Sequence, residues 1–93
     1  MSALIIVKLK VKDMEKLKEY SAQTGAILEK FDGKVLIKGA PTVLCGDVAG
    51  FDKTVVFEFP SREAAEGWYN SPEYQALIAI RDEAMDCTFE IAA

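Results

Sequence analysis

The most informative stretch of the chain is residues 53–77, which read KTVVFEFPSREAAEGWYNSPEYQAL. Its first seven residues alternate in polarity, and this alternation predicts an amphipathic β-strand. Pro60 ends the strand, and Ser61 is a favourable N-cap for a helix. A second helix start follows at residues 71–73, where a capping serine, a proline at the first helical position and a glutamate stand in order. The stretch therefore predicts a strand that leads into a helical region.

Three further segments show the strand pattern, residues 3–11, 34–39 and 87–91. Between the first two, residues 13–31 carry apolar side chains at three- and four-residue spacing behind a capping Asp13, which predicts a helix. The predicted order is β-α-β-β-α-β, the ferredoxin-like arrangement of the α+β class, with a four-stranded antiparallel sheet and two helices on one face. Because 93 residues hold only one core, we expect a single domain over residues 1–93.

Composition excludes several classes of function. The net charge of −4 argues against a nucleic-acid partner. The absence of histidine removes Ser-His-Asp triads, histidine-ligated haem and most catalytic zinc sites, and we expect no metal site and no cofactor. Cys45 and Cys87 lack a CxxC motif, so we expect two reduced thiols in or near the core. The apolar run at residues 3–7 is too short for a membrane span and has no basic residues before it, so we expect a cytoplasmic protein without a membrane partner.

One face of the predicted sheet carries no helix. With the strands in the spatial order four, one, three, two, this open face should carry an apolar group and a charged group, namely Leu4, Ile6, Leu36 and Val56 with Lys8, Lys38 and Glu58. An apolar patch of this kind is rarely left in water, and an identical sheet from a second chain is the simplest cover. The sequence therefore predicts a homodimer with a cavity between the two sheets.

Lys8, Lys38 and Glu58 are the candidate catalytic residues. They are predicted to lie on three neighbouring strands and to point to the open face. Glu58 would act as a general base there, and the lysines would bind an acidic ligand or stabilise negative charge. The alternative is an ion-pair network that fixes the register of a dimer interface without chemistry.

Aromatic side chains supply the candidate ligand contacts. Trp68, Tyr69 and Tyr74, together with Ile6 and Leu36 of the open face, are suited to a flat apolar ligand. For the three aromatic residues, core or dimer packing is the competing interpretation, because their spacing is also that of a buried helix face. Residues 72–85 predict one continuous helix, and Arg81 on its inner stripe is interpreted as an ordinary paired or solvated charge.

Three segments resemble a known family: GKVLIKG at residues 33–39, VVFEFPS at residues 55–61 and WYNSPEYQAL at residues 68–77. They are similar to the domain of unknown function 1330 family of the dimeric α+β barrel superfamily. This resemblance implies the same ferredoxin-like fold and a dimer. Relatives across the superfamily include cofactor-free monooxygenases, isomerases, haem enzymes and proteins without known catalysis, so the fold does not select an activity.

The functional hypothesis is a small homodimer that binds an acidic or aromatic metabolite in a cavity on the open sheet face. If there is turnover, cofactor-free proton transfer or isomerisation fits best. The alternative is a non-catalytic structural or interaction dimer whose interface is filled by side chains.

Overall fold

Four antiparallel strands form one sheet in the computed structural model, which describes residues 2–93. The elements follow in the order β1 (Ala3–Val11), α1 (Met14–Lys30), β2 (Lys34–Gly39), β3 (Lys53–Phe59), α2 (Arg62–Asn70), α3 (Pro72–Gln75), α4 (Ile78–Ala84) and β4 (Met85–Ala92). The strands lie side by side as β2-β3-β1-β4. This strand order confirms the predicted ferredoxin-like fold.

Side-chain caps begin the helices where the sequence predicts them. The Asp13 carboxylate accepts hydrogen bonds from the backbone N–H groups of Glu15 and Lys16, at 3.1 and 3.2 Å, and starts α1. Ser71 joins two helices, because its hydroxyl donates to the Trp68 carbonyl at 2.8 Å and accepts from the Tyr74 N–H at 3.2 Å. These bonds satisfy backbone groups that a helix end leaves unpaired.

The second helical region differs from the prediction. It is not one continuous helix over residues 72–85, since α3 ends at Gln75 and α4 begins at Ile78. Met85 does not belong to the helix but opens β4, where it pairs with Val11 and is 3% exposed. Burial of Met85 against the sheet therefore outweighs the helical spacing, and β4 starts two residues earlier than predicted.

The core lies between the helices and one face of the sheet. Along β1, the odd-numbered residues from Ala3 to Leu9 are buried and the residues between them are less so. The largest side chains that are completely enclosed are Trp68, Tyr74, Phe59 and Ile5. The helix side of the sheet is thus the packed side, and the face that carries Leu4 and Ile6 is open.

A β-bulge in β2 changes which side chains reach the open face. Val35 pairs with Phe57 and Ile37 pairs with Val56, so Leu36 between them is the extra residue of the bulge. Beyond the bulge, Lys38 pairs with Val55, a residue of the helix side. The prediction that Lys38 shares the open face with Val56 is therefore wrong, whereas Leu36 is left unpaired at the bulge. Ile37 pairs with Val56 on the open face and is 61% exposed.

A tight turn connects α1 to β2. Asp32 adopts a positive φ of 58°, and a Cβ on the following Gly33 would lie 2.6 Å from side-chain atoms of Leu28 and Phe59. Real Cβ atoms do not approach this closely, so the turn needs glycine at this position. The close approach lets the end of α1 sit directly over the core end of β3.

Candidate functional site

The predicted charged cluster does not assemble. Lys8 pairs with Thr54, whereas Glu58 pairs with Leu4. Lys8 and Glu58 are therefore four residues apart along the sheet, about 13 Å at the rise of a β-strand. Lys38 lies on the opposite side because of the bulge. The alternation of polarity predicts which residues share a face of the sheet, but residues on one face can still lie too far apart to interact.

Glu58 has a different partner. The Lys34 ammonium lies 3.2 Å from a carboxylate oxygen of Glu58, and the two residues pair across β2 and β3. Ile6 lies on the open face opposite Val56, as predicted, and is partly buried. Leu36 is half exposed at the bulge. A base role for Glu58 and ligand contacts from Ile6 and Leu36 stay predictions.

A hollow of about 350 Å³ lies on the open face. Lys8 and Thr54 form its floor, and the loop between β2 and β3 forms its wall, including Cys45 and Phe51. Cys45 is exposed, in contrast to the near-core position expected for it. Glu58 and Lys38 do not line this hollow, so it does not bring the three candidate catalytic residues together.

Two of the three candidate aromatic residues are core residues. Trp68 and Tyr74 are 0% exposed, with ring centroids 4.4 Å apart, which leaves no surface of either side chain for a ligand. Their role is corrected to core packing. Within residues 2–93, the indole N–H of Trp68 is the one buried side-chain polar group without a hydrogen-bond partner. Tyr69 is only partly buried and borders a cavity.

Three tyrosines and one arginine form a connected network between α1, α2, α3 and α4. The hydroxyls of Tyr20 and Tyr74 lie 2.7 Å apart, and either can donate. The Arg81 Nη1 donates to the Tyr69 hydroxyl at 2.9 Å and to the Tyr74 hydroxyl at 3.4 Å. The guanidinium carbon also lies 5.1 Å from the centroid of the Phe89 ring. The network holds the guanidinium against aromatic rings on the helix side of the sheet.

The hydrogen bonds of Arg81 leave one nitrogen of its guanidinium, Nη2, without an acceptor among residues 2–93. A guanidinium has five N–H donors. Nε donates to the Asp82 carboxylate at 3.2 Å, and both bonds to tyrosine come from Nη1. Among residues 2–93, no side chain or carbonyl accepts from Nη2. The Arg81 side chain is only 11% exposed, so the guanidinium is a largely buried positive charge with one nitrogen unpaired within these residues.

Arg81 also lines a cavity, which we call the Arg81 cavity. It has a volume of about 300 Å³ and lies between α2, α4 and β4. Its lining combines apolar, aromatic and charged side chains, namely Ile5, Glu66, Tyr69, Asn70, Arg81, Cys87, Phe89, Glu90 and Ile91. An apolar cavity with a few convergent polar groups is the usual form of a small-molecule site.

Burial and hydrogen bonding fix the charges in this region. Burial raises the pKa of Tyr74, and it raises the pKa of Tyr20 strongly. For Arg81, burial acts to lower the pKa, but the hydrogen bonds to Tyr69 and Tyr74 outweigh it, and the net pKa is raised. Burial also raises the pKa of the Cys87 thiol. At neutral pH, Tyr20 and Tyr74 are therefore neutral and Arg81 is charged.

Arg81 is the functional candidate that the sequence interpretation missed. The signal was present, because Arg81 falls on the inner stripe of the last helical segment with Tyr74 and Leu77. A charged residue on a buried stripe needs a polar partner. The sequence gives no indication that Tyr69 and Tyr74 are those partners, since Tyr69 comes from another helix.

Other kinds of site are not found in the described part of the chain. Between residues 2 and 93, no group of three or more histidine, cysteine, aspartate or glutamate residues is arranged to hold a metal ion. Over the same residues, no helix has both the length and the apolar character needed to span a membrane.

Comparison with known proteins gives the family. The model of the Domain of unknown function (DUF1330) matches residues 2–93. The chain belongs to the DUF1330 family. No curated protein matches the chain.

Solved structures share the fold of this DUF1330 chain at low sequence identity. A protein of unknown function from Rhodopseudomonas palustris has a TM-score of 0.80 at 18% identity, covering 98% of this chain and 80% of that one. A dimeric ferredoxin-like protein of unknown function from Jannaschia sp. CCS1 has a TM-score of 0.76 at 11% identity, covering 100% and 99%. SnoaB, a cofactor-independent oxygenase from Streptomyces nogalater, has a TM-score of 0.67 at 10% identity, covering 99% and 91%.

Proposed function

We propose that this chain is a cytoplasmic homodimer that binds a small aromatic carboxylate in the Arg81 cavity. The observation that carries the proposal is that the largely buried Arg81, which lines this cavity, has one guanidinium nitrogen, Nη2, without a protein acceptor among residues 2–93. Nη2 can donate a charge-assisted hydrogen bond to a ligand carboxylate, and such bonds are stronger than neutral ones.

The rest of the cavity defines the ligand's other end. Phe89, Ile5 and Ile91 supply apolar and aromatic wall, and the volume of about 300 Å³ is at the lower end of ligand-site sizes. Glu66 and Glu90 also line the cavity. A second anionic group would meet these carboxylates, whereas a hydroxyl would donate to them. The proposed ligand is therefore a flat hydroxy-aromatic acid with a single carboxylate.

This proposal moves the site from the open face to the helix side of the sheet. The ligand class is the one that the sequence predicts, but Lys8, Lys38 and Glu58 do not contribute to the Arg81 cavity. The open face is then left to a second chain. Leu4, Ile6, Ile37 and Val56 lie on it, and the neighbour from Jannaschia sp. is described as dimeric. An apolar sheet face of this kind supports a homodimer for this chain.

Titration with 6-hydroxy-2-naphthoate, followed by isothermal calorimetry, tests the binding site. We expect saturable binding by the wild type and binding weaker by about tenfold or more in Arg81→Gln, because a hydrogen bond to a charged group contributes about 1.5–3 kcal/mol. Lys30→Gln is the control with the same change of charge. Lys30 forms an exposed pair with Glu73 at 3.5 Å, and neither residue lines the Arg81 cavity, so this variant should bind as the wild type does.

Circular dichroism checks that each variant keeps its fold. Equal affinity in the wild type and Arg81→Gln would contradict the proposed site. A stable dimer that binds neither this acid nor its carboxamide would favour the alternative, a non-catalytic structural or interaction dimer.

A further inference from the structure

A second cavity lies beneath α1, on the other side of the Tyr20–Tyr74 hydrogen bond. It has a volume of about 120 Å³, and most of its wall is apolar, including Val7, Leu9 and Val55. Phe89 separates it from the Arg81 cavity and lines both. The apolar wall alone would favour an empty or lipid-like cavity, but two lysines also line it.

The two lysines lie at the cavity for different structural reasons. Lys53 pairs with Leu9 and so lies on the helix side of β3 through ordinary strand alternation. Lys38 pairs with Val55, two residues from Lys53, only because the bulge in β2 turns it from the open face to the helix side. Bulges commonly re-aim a side chain next to a functional site.

No acidic side chain neutralises this pair. Among residues 2–93, neither Lys38 nor Lys53 forms an ion pair, although Lys34 of the same strand pairs with Glu58. The two residues are diagonal neighbours across β2 and β3, a separation that long side chains span. An anion held between the two ammonium groups would accept hydrogen bonds from both while its apolar part fills the cavity.

We propose that the cavity under α1 binds a short aliphatic monocarboxylate, with the carboxylate between Lys38 and Lys53 and the hydrocarbon chain among the apolar residues. A cavity of 150 Å³ holds benzene, so this one suits a chain of about four or five carbons. This site is separate from the Arg81 cavity and does not depend on the function proposed for it.

Titration with pentanoate, followed by backbone amide shifts in heteronuclear NMR, tests the proposal. We expect saturable shifts at Val35, Val55 and Phe57, which line this cavity and not the Arg81 cavity. Each methylene buried between acetate and pentanoate should raise the affinity about fourfold, from about 0.8 kcal/mol per group. Neutral pentanamide has the same shape and should bind at least about tenfold more weakly.

The charge pair is tested with Lys38→Gln/Lys53→Gln, against Lys10→Gln/Lys18→Gln as a control of equal net charge at exposed lysines that line neither cavity. Both lysines of the cavity are exposed, so the fold should persist. The cavity variant should lose about tenfold or more in pentanoate affinity and the control should lose none. Equal affinity of pentanoate and pentanamide, or shifts confined to the Arg81 cavity, would overturn the proposal and leave the proposed function untouched.

Discussion

At the scale of single residues, Arg81 is a largely buried charge that has no buried counter-ion among residues 2–93. Its side chain is 11% exposed, yet Asp82, its one acidic partner within residues 2–93, is 63% exposed. An ion pair with one exposed member contributes little. Two tyrosine hydroxyls satisfy hydrogen bonds of the guanidinium but bring no negative charge. A desolvated cation without a buried counter-ion is typical of a site where the ligand supplies the charge.

The buried tyrosines predict how stability depends on pH. Burial raises the pKa of Tyr20 and Tyr74 above the usual value of 10.0, so above pH 10 the unfolded chain loses protons that the folded chain keeps. Ionisation of these tyrosines should therefore leave the free energy of unfolding independent of pH below pH 10. Above pH 10 the free energy of unfolding should fall by about 1.4 kcal/mol per pH unit for each tyrosine.

Urea unfolding of the wild type and Tyr20→Phe between pH 7 and 11 measures this dependence. The variant should be less stable by about 1 kcal/mol at pH 7, where it lacks the hydrogen bond to Tyr74, and its stability should fall less steeply above pH 10. The same slope in both proteins would contradict the assignment.

At the scale of elements, the sequence predicts what depends on local chemistry. Asp13, Ser61 and Ser71 all cap the helices that follow them, because a short polar side chain beside free backbone N–H groups needs no tertiary context. The same holds for the strands β1, β2 and β3, whose bounds match the alternation.

The features that the sequence does not predict depend on tertiary contacts, which local sequence patterns do not contain. The bulge at Leu36 breaks a continuous alternation in β2 and reverses the side of Lys38, and the edge position of β2 leaves it room to do so. The Arg81 cavity joins residues of α2, α4 and β4, and their approach is set by packing around Trp68. The fold was therefore predictable, but the candidate site was not.

Two glycines, one inside α1 and one just after it, should respond in opposite directions to alanine. Gly33→Ala places a Cβ 2.6 Å from Leu28 and Phe59, and such overpacking costs about 1–3 kcal/mol. Gly25 lies inside α1 with no atom within 4 Å of a Cβ, so Gly25→Ala should stabilise the protein by about 1 kcal/mol. Thermal unfolding of both variants checks this, and a stabilising Gly33→Ala would contradict the described turn.

At the scale of the whole molecule, the two faces of the sheet have separate proposed roles, ligand binding on the helix side and dimer formation on the open face. Both proposed binding cavities lie on the helix side within one chain, and the open face is free for a second chain. Assembly and binding should therefore be separable.

Ile6→Glu tests that separation. Ile6 lies opposite Val56 on the open face, where a buried, unpaired carboxylate between two sheets would oppose association. We expect a monomer of 10.2 kDa by light scattering, with affinity for 6-hydroxy-2-naphthoate within about threefold of the wild type. A dimer of unchanged stability would place the interface elsewhere.

Native mass spectrometry of the wild type and Arg81→Gln, each with 6-hydroxy-2-naphthoate, tests the central claim most directly because one spectrum shows both assembly and occupancy. We predict a species of twice the 10.2 kDa chain mass that carries one ligand per chain, and the same dimer without ligand in Arg81→Gln. A monomeric wild type, or equal occupancy in both proteins, would contradict the account.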